Sequence, residues 1–289
     1  MENKKTKLII IGAKGMLGRA LTDVFSGKKY EILLWDREQI DIADEEMVTE
    51  LIERERPDLV INAAAHNAVD KIEEDEATFK LAKKVNSEGP RNLAAACKKI
   101  DAVLVHFVSD YIFDGEKGEY AETDLPNPIS RYGETKLLGE QNVAGNCDKY
   151  YLIRISKLFG PPAISERAKK SFFETMLTLA RTNPHLKVVD AELSCFTYSK
   201  DLAKAVEKLW EENFLFGIYH IVNEGPETWY GALKKVFAIS GVKNAELISV
   251  PASSFPRPAA RPASSILKNT KFPKLRNWEE AAREWLGEK

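Results

Sequence analysis

Tyr132 and Lys136 stand four residues apart in the stretch YGETK, a spacing that puts a phenol and an ammonium on one face of a helix at contact distance. Such a pair can exchange a proton with a carbonyl oxygen. A phenol has an ordinary pKa of about 10, and a neighbouring ammonium favours phenolate and lowers that value toward working pH. Most YxxxK pairs are plain surface neighbours, so context decides. Here the helix follows a predicted strand that ends at Ser109, whose hydroxyl would hold the same oxygen by a hydrogen bond. A strand-end cap is the simple alternative for Ser109.

Proton exchange at a carbonyl needs a hydride source, and the second cluster supplies a place for one. GAKGMLG, residues 12–18, lies between a predicted strand and a predicted helix, where a glycine turn lets backbone amides and a helix N-terminus meet a pyrophosphate. The spacing is GxxGxxG, and Gly12, Gly15 and Gly18 gain meaning from that position more than from their number. Asp36 ends the second strand about twenty residues on, where a carboxylate accepts from an adenosine ribose; a solvated strand-end Asp is the bland reading. Arg37 beside it suits a 2′-phosphate, so NADH and NADPH both stay open. NAAA, residues 62–65, ends the third strand with the small side chains that a flat nucleotide needs beneath it, or that simple core packing would use. In the reducing direction a hydride would pass to the carbonyl carbon while Tyr132 protonates the oxygen, Lys136 also gripping the nicotinamide ribose.

These residues need a scaffold that brings strand ends together. Short apolar runs at 7–11, 30–35, 59–61, 102–108 and 150–155 alternate with helical patterns at 16–25, 44–56, 88–100 and 130–143, which implies an α/β fold with a doubly wound parallel sheet. After Gly160 the pattern loosens. Helices are expected at 172–181, 199–210 and 229–240, strands at 186–189 and 217–222, and a proline- and arginine-rich segment at 255–262. We expect residues 1–160 to bind the dinucleotide and 161–289 to form mainly a smaller substrate lobe, some segments returning to the first.

With 42 Lys and Arg against 44 Asp and Glu, the net charge is -2, so there is no global pull toward nucleic acid or anionic lipid. Nor does any apolar run approach the roughly 20 residues needed to span a bilayer. Cys97, Cys147 and Cys195 are far apart, without metal spacing, and are expected as reduced thiols in a cytoplasmic protein. His66, His106, His185 and His220 have no metal-like or triad-like companion, and no metal is expected.

RPDLVINAAAHNAVDK, VNSEGPRNLA, VSDYIFDG, ETDLPNPISRYGETKLLGE, FTYSKDLA, GIYH and ARPASSIL, with the glycine stretch, resemble the extended short-chain dehydrogenase/reductases, and within them the dTDP-4-dehydrorhamnose reductase family, over nearly the whole chain. The resemblance implies a Rossmann fold and reduction by NADPH or NADH of the 4-keto group of a dTDP-linked 6-deoxy sugar. It further implies Ser109, Tyr132 and Lys136 as catalytic residues, Ser standing where many members have Thr. Gly15, Met16, Leu17, Asp41, Ile42, Ala63, Ala64 and Ala65 would line the cofactor. Asp110 and Tyr111 would neighbour the sugar, and Arg261 would meet an anionic group. Lys157 replaces a usual Trp, AELSCFTY replaces a common DQFGSPTY, and residues 70–86 run longer than the usual pattern. Two other readings stay in view: a reductase of another nucleotide-linked keto sugar, and a non-catalytic subunit like the regulatory β subunit of methionine adenosyltransferase. A homodimer is one assembly open to the chain.

Overall fold

The first strand, β1 (Thr6–Ile11), is an isoleucine-rich run buried along its last four residues, the pattern of a parallel strand covered on both faces. It turns at glycine into α1 (Met16–Phe25). β2 (Tyr30–Trp35) follows, then α2 (Glu45–Glu55), whose N-cap Asp44 accepts from Met47 N, satisfying one of the orphan amides of a helix start. β3 (Leu59–Asn62) leads through α3 (Val69–Glu74) and α4 (Glu76–Lys83) into a π-helical turn at Lys84–Glu88 and α5 (Gly89–Ile100). β4 (Val103–Ser109) precedes α6 (Arg131–Asn146), capped by Ser130. The structure is a computed structural model and describes residues 5–27, 29–165, 168 and 170–287.

Six parallel strands make one sheet in the order Gly217–His220, Tyr150–Ile155, β4, β3, β1, β2. From β1 the chain steps outward to β2 and then returns to β3 on the other side, so connections diverge between β1 and β3. That divergence leaves a crevice at the carboxyl ends of the two strands. Register matters for the site: Asn62 pairs with His106, so β4 runs three residues past the end of β3 and carries Ser109 beyond it. A core of Leu17, Leu21, Phe25, Leu202, Val206 and Leu209 covers one face of the sheet through α1 and the helix Ser199–Glu211. Val48, Ile52, Leu93 and Val143 from α2, α5 and α6 cover the other.

The remaining residues build a separate aromatic core from Phe159, Phe173, Phe196, Tyr198, Trp278 and Trp285. Around it lie the helices Phe172–Leu179, Trp229–Ser240 and Trp278–Gly287 and the parallel pair His185–Val189 with Glu246–Val250. The strand Gly217–His220 and the helix Ser199–Glu211 belong to the main sheet layer, so the chain after residue 160 is shared between two cores. No helix among the described residues is long and apolar enough to cross a membrane. The sequence reading assigned nothing to residues 67–87, where α3, α4 and the π-helical turn stand. Helices of six and eight residues are too short for periodicity to declare.

Candidate active site

Gly12 leaves β1 with φ +79, a left-handed conformation that favours glycine, and its N–H donates to Trp35 O at 2.8 Å. A Cβ there would lie 2.9 Å from Ala64 N, and one on Gly18 would lie 2.0 Å from Gly12 O. The turn is therefore folded as tightly as backbone allows. α1 has Gly15 as its N-cap and no side-chain capping hydrogen bond, so the amides of its first turn, with Met16 and Leu17, are left for an outside acceptor. A cradle that side chains would fill, beside an uncapped helix start, fits a dinucleotide pyrophosphate. Across the crevice, Asn62 Oδ1 accepts from Ala64 N (3.1 Å) while Nδ2 meets His106 Nδ1 (3.2 Å), fixing the path of the half-buried Ala63, Ala64 and Ala65. Asp36 Oδ2 accepts from Lys14 N at 2.7 Å, and Arg37 is exposed beside it. Asp41 is exposed and accepts from Ala43 N, whereas Ile42 is buried and packs on Gly89 of α5.

Tyr132, in the first turn of α6, is buried among Ile72, Ala82, Val69, Phe79 and Tyr111, with Tyr111 edge-on at 5.8 Å. Its phenol donates to Asn67 Oδ1 at 3.3 Å. Lys136 lies one turn on, and its ammonium donates to Phe107 O of β4 at 2.8 Å. Both groups reach the carboxyl edge near Ser109, but no hydrogen bond joins them to each other among the described contacts. The expected acidification of the phenol is reversed. Burial raises the Tyr132 pKa above its ordinary value, Ser109 hydrogen bonding pulling it down and the Asp110 charge pushing it up. Burial brings Lys136 down to about 8, against the opposing charge of Glu140. Both groups are desolvated, which disfavours phenolate and ammonium alike. At neutral pH the phenol keeps its proton, the form required of an acid.

A prediction follows from Lys136. The cofactor kcat/KM reports the free enzyme, and it is expected to fall as pH rises through about 8 as the ammonium is lost. Lys157 is also held to about 8, so profiles from about pH 6 to 10 are compared for the parent and Lys157→Met, and the limb should survive in the variant. Between about 8 and the ordinary lysine value the unfolded chain binds more protons at both positions than the folded one. Their combined contribution to stability therefore rises with pH across that window.

Asp110, expected beside the sugar, is instead turned into the protein. It is 3% exposed and accepts from Ser109 Oγ (3.1 Å), Ser156 Oγ (2.7 Å) and Ser265 Oγ (2.6 Å). Burial raises its pKa, the Ser265 and Ser156 hydrogen bonds and the Lys157 charge opposing. It ties together the ends of β4, of Tyr150–Ile155 and of the strand Ser264–Leu267. Because Ser109 donates to Asp110, its oxygen is free to accept from Tyr111 N at 3.2 Å and from the phenol. Lys157 has φ +29, a strained value for a side-chain-bearing residue. Its ammonium lies over Trp229 (4.2 Å) and Phe196 (5.2 Å) and donates to Glu192 O at 3.2 Å. Arg261 grips Asp70 through both guanidinium nitrogens at 2.6 and 2.9 Å, so the side chain expected to meet an anion is already neutralised by α3.

Sequence reasoning missed Asn67, Asn86, Thr135, Ser156, Ser265 and Arg257. Asn86, in the π-helical turn, accepts from His66 N and donates to Thr135 Oγ1, which donates to Tyr132 O. It thereby links the loop after β3 to α6. A π-helical turn is a frequent mark of a functional position, but VNSEGP carries no periodic sign of one. Arg257 pairs with Glu192 beside Lys157. The largest open depression, about 820 Å³ and lined by Arg56, Asp58, Tyr151 and Trp210 among others, lies at the amino ends of the strands. It is on the far side of the sheet from all these groups.

Sheet order, glycine turn and buried phenol together define a dinucleotide-dependent reductase. The chain belongs to the family described as the RmlD substrate binding domain, whose model matches residues 6–289. It is 33% identical to the spore coat polysaccharide biosynthesis protein SpsK of Bacillus subtilis, over 98% of each chain. Among solved structures it is similar to a dTDP-4-dehydrorhamnose reductase of Clostridium acetobutylicum (TM-score 0.90, 37% identity, covering 97% of this chain and 98% of that one). It is also similar to the dTDP-4-dehydrorhamnose reductase of Bacillus anthracis in complex with NADP (TM-score 0.92, 32% identity, 99% and 100%).

Proposed function

We propose that this protein reduces the 4-keto group of a dTDP-linked 6-deoxy sugar, converting dTDP-4-dehydro-L-rhamnose to dTDP-L-rhamnose at the expense of NADPH or NADH. The observation that carries the reading is a buried, protonated phenol at the carboxyl edge of the sheet, beside a glycine turn shaped for a pyrophosphate. A bound dihydronicotinamide supplies the hydride. Tyr132 gives its proton to the oxygen that becomes the sugar hydroxyl, and Ser109 accepts from the phenol and steadies the same oxygen. Lys136, fixed to Phe107 O, places a positive charge under the phenol as it ionises. The likeness to curated and solved dTDP-4-dehydrorhamnose reductases over more than nine-tenths of the chain supports the substrate class. The free thiols of Cys97, Cys147 and Cys195, all buried, suit the reducing cytoplasm.

Incubation with NADPH and dTDP-4-keto-6-deoxy-L-mannose should consume the coenzyme and yield dTDP-L-rhamnose, followed by absorbance and product chromatography. Coenzyme binding without turnover on any nucleotide-linked keto sugar would instead identify a non-catalytic binding subunit. Lys157, a buried cation between Asp110 and two aromatic rings, favours a second reading in which the keto sugar is a relative of this one. Turnover ranked across such sugars separates the two.

A further inference from the structure

Where β2 stops and the glycine turn begins, Lys14 spans the two. Its N–H donates to Asp36 Oδ2 at 2.7 Å, and its carbonyl accepts from Ile164 N at 2.9 Å and Ser165 N at 3.1 Å. Arg19, in the first turns of α1, donates to Pro162 O at 3.1 Å, so the segment 162–165 is seated on the turn from the other side. With its backbone held at both donor and acceptor, Lys14 sends its side chain along the end of β2, where the ammonium meets Glu38 at 3.0 Å. Arg37 is exposed between Asp36 and Glu38 in the sequence.

This cluster borders the place where the adenosine ribose of a dinucleotide lies in such a crevice. The Lys14–Glu38 pair has side chains 48% and 57% exposed, and pairs of that kind contribute little to stability. Its ammonium can be surrendered to a stronger anion. A phosphate monoester carries close to two negative charges at neutral pH and accepts charge-assisted hydrogen bonds from Lys and bidentate ones from Arg. Asp36, committed to the turn through one oxygen, has a second to accept a ribose hydroxyl.

We propose that Lys14 and Arg37 clamp the 2′-phosphate of NADPH, Glu38 holding the Lys14 ammonium until the phosphate arrives, so that the chain favours NADPH over NADH. The inference rests on the dinucleotide site proposed above and is independent of the sugar. Its test is the Kd of NADPH and of NADH for the full chain without sugar, measured by dihydronicotinamide fluorescence. Losing one charge-assisted contact, Lys14→Met should weaken NADPH about tenfold and NADH by less than about twofold, and Lys14→Met with Arg37→Ala should weaken NADPH about a hundredfold. Lys14→Arg should keep the preference, and Glu38→Gln should tighten NADPH alone. Lys14 is exposed, and an unchanged melting temperature verifies the fold of each variant. Equal losses for both coenzymes, or unaltered NADPH affinity in Lys14→Met, overturn the clamp. Failure of the parent to bind either coenzyme overturns both the clamp and the dinucleotide site, whereas the predicted Kd pattern without sugar turnover upholds the clamp and removes only the reductase reading.

Discussion

Tyr132→Phe should bind NADPH as the parent does and turn over the keto sugar slower by roughly 10²-fold or more, the scale of losing a general acid. The substitution removes one oxygen and leaves the ring, whose neighbours Ile72, Ala82, Val69 and Phe79 are apolar. The single hydrogen bond lost inside the protein is the 3.3 Å contact to Asn67, at the weak end of the normal range, so stability should change little. Coenzyme titration and steady-state kcat on one preparation separate binding from chemistry. A kcat within a few-fold of the parent would remove the phenol from the reaction and leave the carbonyl oxygen to another donor.

That prediction uses a feature only partly legible in the sequence. YxxxK spacing and the strand before it locate Tyr132 and Lys136, because helix period and strand alternation are local and strong. The direction of their pKa shifts is not local. It depends on α3 and α4, which cover the phenol but are too short to announce themselves, and on burial of both groups at once. Asp110 teaches the same lesson. Its position beside Ser109 makes it look like a sugar contact, yet two of its three partners, Ser156 and Ser265, lie 46 and 155 residues away in the chain. Only the folded register brings those hydroxyls around a carboxylate. The glycine turn was legible because its constraint is steric and confined to seven residues, whereas the ion pair of Arg261 with Asp70 spans 191. Likewise β1 to β4 read directly as apolar runs, while the two-residue strands after Gly160 offer no period at all.

Arg154→Met should destabilise the fold by about 3–5 kcal/mol, the usual cost of stranding one partner of a buried ion pair. Arg154 is 2% exposed and holds Glu140 through Nε at 2.8 Å and Nη2 at 2.6 Å. It also reaches His220 Nε2 at 3.3 Å and lies over the Phe113 ring at 5.3 Å. Removing the guanidinium leaves the Glu140 carboxylate, itself 5% exposed, without its counter-charge. In Arg154→Met with Glu140→Leu neither charge remains, and most of the loss should be recovered, because apolar replacement of a whole buried pair is often neutral. Urea unfolding of the parent, the single and the double variant gives the comparison; a single-variant cost below about 1 kcal/mol, the level of an exposed pair, would refute the assignment. The pair also bears on chemistry. Glu140 sits one turn beyond Lys136 on α6, and its charge opposes the burial that pulls the ammonium down. The double variant should therefore move the alkaline limb of kcat/KM below its parent position, since Lys136 then loses its proton at lower pH. A restored fold with a displaced limb would separate what this pair does for stability from what it does for the proton donor one turn before it.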